Sequence, residues 1–156
     1  MINGTLPKKI YFGLVESEGF NGALSKNPFN FIHSNVQSIT IRKNGQPTPF
    51  ENLELNFTND QFLQGYLSLI HTTGRLYSDS SFDIAPFDEY PAGYTLYGCL
   101  LSPDMNQGGD VNLIKEGKIG LEIKLSTATT KSVTLICMAV YDDVIEIDKN
   151  NTVFYD

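Results

Sequence analysis

The 156-residue chain has no tryptophan, two histidines and two cysteines. Those few residues fall into no recognised chemical pattern. His33, His71, Cys99 and Cys137 show neither C-x2-C nor H-E-x-x-H spacing, so no metal site is expected. No serine stands in a G-x-S-x-G elbow. Gly108-Gly109 lacks the strand, glycine-rich loop and helix order that cradles phosphate, so neither a catalytic residue nor a cofactor is expected and the chain reads as a non-enzyme. Basic residues are scarce as well. Eleven Lys and Arg stand against eighteen Asp and Glu, and no basic run exceeds the pairs Lys8-Lys9 and Arg42-Lys43. A net charge of -7 without a basic cluster excludes a binder of the phosphate backbone, so nucleic acid is not an expected partner. Long apolar runs are missing too. Nothing approaches the roughly 18 consecutive apolar residues of a membrane-spanning helix, and Met1 to Lys9 holds no apolar core of signal-peptide length. The expectation is a chain that neither inserts in a membrane nor carries its own targeting segment.

What is present is β-patterning. At its length the chain can bury a self-sufficient core, and residues 1–156 read as one domain without linker or repeat. Ile119, Leu121, Ile123 and Leu125 alternate with polar or small residues through Lys118 to Leu125, the period of a half-buried strand. Ser132 to Tyr141 and Val144 to Asp148 continue the pattern. The first two of these strands are expected to pair as an antiparallel hairpin across Ser126 to Lys131, with Leu121 and Leu135 facing the core. Further strands are expected at Lys8 to Val15, Phe29 to His33, Val36 to Lys43 and Tyr94 to Leu101. Asn44-Gly45 supplies the positive φ of a tight turn. Cys99 and Cys137 lie in apolar strands and are expected to be buried free thiols.

One helix interrupts the strands. Thr58-Asn59-Asp60-Gln61 has the side chains of an N-terminal cap, Phe62, Tyr66, Leu69 and Ile70 share one helical face, and Gly74 fits the stop. Strands separated by turn signals, with a single short helix, predict an all-β fold, a jelly-roll-like two-sheet β-sandwich.

Between Leu76 and Tyr90 the periodicity fails, and turn formers alternate with aromatics and carboxylates in what reads as a long loop. Tyr77, Asp79, Phe82, Asp83, Phe87 and Tyr90 are its candidate residues for an interface or a ligand contact, because Tyr and Phe dominate wet interfaces. The same aromatics also suit a loop that folds back over the end of the sandwich. Asp79, Asp83, Asp88 and Glu89 lack the spacing of a calcium loop, and Asp142, Asp143, Glu146 and Asp148 read better as a protected strand edge than as an acid/base pair.

Several segments also carry a family resemblance. Phe12-Gly13-Leu14-Val15, Lys26-Asn27-Pro28-Phe29-Asn30-Phe31, Tyr90-Pro91-Ala92-Gly93-Tyr94, Asn112 to Ile123 and Tyr141 to Asn150 follow one another much as in structural proteins of Maverick/Polinton-type (adintovirus-like) virus-like elements. The chain resembles the C-terminal region of these proteins. The resemblance implies a capsid-type jelly roll that acts by self-assembly, as a homotrimer, with the virion as its location and other virion proteins as partners. The alternative it leaves open is the head of a fibre-like attachment protein, binding a host-cell receptor or glycan through loops at one end of the sandwich.

Overall fold

The computed structural model describes residues 2–48, 52–76, 85–101, 116–141, 145–149 and 152–155. In chain order its strands and α-helices are β1 (Ile2–Thr5), β2 (Lys9–Glu16), α1 (Ser17–Phe20), β3 (Val36–Lys43), β4 (Gln46–Pro47), β5 (Leu53–Glu54), α2 (Leu63–Thr73), β6 (Leu96–Leu100), β7 (Glu116–Leu125), β8 (Val133–Val140), β9 (Ile145–Ile147) and β10 (Val153–Tyr155). Two antiparallel sheets form a β-sandwich. One runs β1-β7-β3-β4, with β5 also on β3, and the other runs β6-β2-β8. A separate hairpin joins β9 to β10, and in its turn the Asp148 carboxylate accepts the Thr152 N–H at 2.9 Å.

The alternation in the sequence sets the inner faces. Ile10, Phe12 and Leu14 of β2, with Tyr97 and Cys99 of β6, meet Ile39 and Ile41 of β3 and Ile119 of β7, and all are buried. Cross-strand pairing keeps these sets on one face: Phe12 lies opposite Tyr97, and Ile41 opposite Leu121. Asn44 at φ 53° and Gly45 at φ 85° form the two-residue turn into β4, the primed turn expected of Asn-Gly.

The helix is one turn shorter at its start than the side chains suggest. Asn56 caps a short 3-10 turn, Phe57–Asn59, by accepting the Asn59 N–H, and Asp60 then adopts a left-handed φ of 56° that breaks the chain before Leu63. Gly74 ends α2 in the left-handed conformation, its N–H bonded to the His71 carbonyl. The strand expected at Phe29 to His33 reduces to single bridges, Ile32 to Leu14 and Phe31 to Tyr94.

Two expectations are corrected. β7 and β8 do not pair with each other, for β7 lies between β1 and β3 while β8 pairs with β2 in the opposite sheet. The segment Ser126 to Lys131 contains no Gly or Asn to make a tight turn. It arches between the sheets instead. Ser126 donates its N–H to the Asn35 carbonyl at 2.9 Å, and Lys131 reaches Glu16 at 2.8 Å. Leu135 is 43% exposed although its neighbour in register, Leu14, is buried, because β8 lies at the margin of its sheet where the facing sheet does not cover it. Leu121 packs against the core but is only partly buried. Replacing Ile39 by Ala should cost roughly 2–5 kcal/mol in a denaturant titration, since both transfer energy and packing are lost. Leu135→Ala should cost less than about 1 kcal/mol, as surface changes do.

Glu16 holds the arch to the end of β2. Its carboxylate takes Lys131 on one oxygen and Lys26 on the other, each at 2.8 Å. The hydrogen bonds from Lys131 and then Lys26 hold its carboxyl at about 2, well below the usual range. A carboxyl lowered in the folded state adds stability above its unfolded value and loses it as the pH falls towards about 2. Both lysines are partly solvated, so screening keeps the effect modest. Urea titrations should therefore show wild type more stable than Glu16→Gln at pH 6, with the gap narrowing progressively as the pH is lowered to 2.5.

Candidate functional site

The aromatic end of the sandwich is built around α2. Phe62 stacks on Phe57 at 5.4 Å and on Phe87 at 5.0 Å, while Tyr66 meets Phe87 and Tyr90 edge-on at 5.3 and 5.4 Å. The polar tips are satisfied internally. Tyr66 donates to the Ala85 carbonyl at 3.1 Å, Tyr90 donates to the Leu96 carbonyl at 2.9 Å, and Thr95 donates to the Tyr90 carbonyl at 2.9 Å. Of the six loop candidates, Tyr77, Asp79, Phe82 and Asp83 lie outside the described residues. Tyr90 is wholly buried and belongs to the core, which corrects its reading as a contact residue. Phe87 is 38% exposed and covers the same cluster in the 3-10 turn Phe87–Ala92. The physical reason is that a tyrosine with its hydroxyl bonded to a backbone carbonyl can be buried at little cost.

The other polar candidates have structural roles. His33 stacks on Phe57 at 4.5 Å and accepts the Asn35 N–H on Nδ1, and burial holds its imidazole below the ordinary value. Among the described residues no group of three His, Cys, Asp or Glu side chains is placed to hold a metal ion. Cys99 is buried and its thiol is pushed up to about 12 by burial, leaving it protonated and unreactive. Cys137 is exposed, which corrects the expectation of two buried thiols: it faces the same uncovered margin as Leu135.

That margin is the surface the loop analysis missed. β8 pairs with β2 on one side, and among the described residues no strand pairs with the other. The Ser17 N–H bonds to the Ser132 carbonyl, so alternation turns the amides of Thr134, Ile136, Met138 and Val140 towards β2 and those of Val133, Leu135, Cys137 and Ala139 away from it. Some of the side chains on and just after the strand are open as well. Leu135 is 43% exposed, Met138 57% and Tyr141 44%. At the start of β8 the Ser17 and Thr134 hydroxyls meet at 2.8 Å, and α1 there carries Phe20, 55% exposed. The signal in the sequence was the run Val133 to Val140, eight residues without a charge, proline or glycine. Such a run suits a strand buried on both faces, whereas free edges are ordinarily protected by Lys, Pro or a bulge.

Tyr90→Phe should lower stability by roughly 0.5–1.5 kcal/mol, because the Leu96 carbonyl loses its donor. Tyr90→Ser should cost several kcal/mol through the loss of the ring, and thermal melts of the two variants separate those contributions.

No family model matches the chain, and no solved structure matches it. It is 29% identical over 153 residues to F54H12.2, an uncharacterized protein of Caenorhabditis elegans, an alignment that covers 95% of this chain and 36% of that protein. The chain thus spans about a third of the length of this relative.

Proposed function

We propose that this β-sandwich is a non-enzymatic structural domain that works by self-association, with β8 as the principal contact. The observation that carries the reading is the pairing of two liabilities in one strand: outward-facing amides and exposed apolar side chains on both of its faces. A monomer would normally protect such an edge with charge or a bulge. Burying it against another copy gives the amides partners and removes Leu135, Met138 and Tyr141 from water together. The net charge of -7 sets a long-range repulsion between copies, so only contacts with enough apolar surface persist.

The resemblance to Maverick/Polinton-type structural proteins supports a capsid-type component of a virion that assembles as a trimer with other virion proteins. A trimer needs β8 to meet a different surface on the neighbouring copy, since pairing of β8 with itself about a two-fold axis closes at two. Tyr90, a candidate contact in both the assembly and the attachment-head readings, is core and favours neither, while the exposed β8 speaks for assembly.

Light scattering coupled to size exclusion tests the proposal. The wild-type chain should elute as a trimer at micromolar concentration and associate more tightly as salt screens the negative charge. Leu135→Glu with Met138→Lys should shift it to monomer by at least tenfold in the association constant, with the circular dichroism of the β-sandwich unchanged. A wild-type chain that stays monomeric, or a double variant that associates as before, overturns the reading.

A further inference from the structure

The chain turns into β3 through a conformation that L-amino acids seldom adopt. Ser34 at φ 46° and Asn35 at φ 51° are both left-handed, and the Ser34 hydroxyl is buried without a hydrogen-bond partner. Such a turn needs support. His33 supplies it twice: its carbonyl accepts the Val36 N–H at 2.9 Å, and its Nδ1 accepts the Asn35 N–H at 3.0 Å. Stacking on Phe57 at 4.5 Å orients the ring for the second bond.

Asn35 in turn carries the first half of the arch between the sheets. Its carbonyl accepts the Ser126 N–H at 2.9 Å and the Ser126 hydroxyl at 3.2 Å, and its side-chain amide donates to the Thr127 hydroxyl at 3.2 Å. The second half is fastened separately, by Lys131 on Glu16. One ring nitrogen thus stands behind one end of the arch.

An imidazole accepts on Nδ1 only while it is neutral with its proton on Nε2, and a second proton turns both nitrogens into donors. The Asn35 N–H would then face another N–H. The Phe57 face accommodates a cation, so the ring can keep its stack while the bond to Asn35 breaks. No surrounding charge pairs with the ring. Among the described residues Glu16 is taken by Lys26 and Lys131 and Glu122 by Arg42 and Lys124, and neither these nor Glu54 and Asp60 form an ion pair with His33.

We propose that His33 is an acid-sensitive latch: a proton taken from solvent on Nδ1 displaces the Asn35 N–H, the left-handed turn relaxes, and Ser126 and Thr127 are released. Burial alone holds the His33 imidazole below its ordinary value, so the closed latch takes up a proton less readily than the open one. The latch is therefore closed above about pH 6.5, the ordinary histidine value, and loosens as the pH falls below it. Glu16, whose carboxyl is held at about 2, stays ionised over that range, so the arch opens at one end only. The latch operates within one chain and does not depend on self-association through β8.

Amide hydrogen exchange and imidazole NMR on the whole chain, between pH 7.5 and 5.0, test the proposal. At pH 7.5 the neutral His33 ring should carry its proton on Nε2. On acidification the protection of the Ser126 N–H, corrected for the intrinsic pH dependence of exchange, should fall at least about threefold, following the His33 imidazole signal and not that of His71. The Asn44 N–H, bonded to the Lys118 carbonyl at 2.8 Å, should stay as protected as before. His33→Asn, whose Oδ1 can accept the same N–H but does not titrate, should keep Ser126 protected at both pH values. His33→Phe, which keeps a ring against Phe57 but has no acceptor, should leave Ser126 poorly protected at both. The proposal is overturned if wild-type protection at Ser126 does not change or follows His71, neither of which requires a variant to fold. It is also overturned if His33→Asn loses protection on acidification as wild type does, or if His33→Phe keeps it at pH 7.5.

Discussion

The burial of β2 on both faces is the constraint on which the rest of the structure depends. Phe12, Gly13, Leu14 and Val15 are consecutive and all buried, which only a central strand covered above and below permits. Pairing with β6 on one side and β8 on the other places both neighbours in register, and Phe12 stacks on Tyr97 at 5.4 Å across the β2–β6 pair. From its far end Glu16 holds both Lys26 and Lys131, so the loop after α1 and the arch between the sheets are tied to the same strand.

The two margins of this sheet are handled in opposite ways. β6 is covered by α2: the Gly98 N–H points at the Ser68 hydroxyl at 3.4 Å, and a Cβ on Gly98 would come within 2.6 Å of Thr72. A residue without a side chain therefore lets the helix approach closely enough to shield the strand. β8 has no such cover among the described residues, and it leaves Leu135 and Met138 exposed to solvent.

Much of the fold was legible in the sequence because local signals and tertiary demands agree there. Val36 to Lys43 alternates, Asn44-Gly45 turns, and Gly74 stops a helix, each for a reason confined to a few residues. The partners of β7 and β8 were not legible. Alternation shows that one face of a strand is buried, but the choice between pairing across Ser126 to Lys131 and arching between sheets depends on Asn35 and Glu16, distant in sequence. The burial of Tyr90 was not legible for a related reason. Tyr90 sits among turn formers and carboxylates, so its surroundings in the chain look like surface, while its hydroxyl finds the Leu96 carbonyl and its ring finds Tyr66 and Phe62. The charge-free run of β8 could have marked the exposed margin, had it not equally suited an interior strand.

The fit of Gly98 beneath α2 has a consequence for growth. With one side capped by a helix, the three-stranded sheet has, among the described residues, one uncovered edge, that of β8. Copies that met through this sheet alone would run out of valence after one step, whereas a sheet open at both ends would lengthen without limit into a fibre. A close approach between a helix and one glycine thus leaves the described sheet one direction in which a further strand could be added.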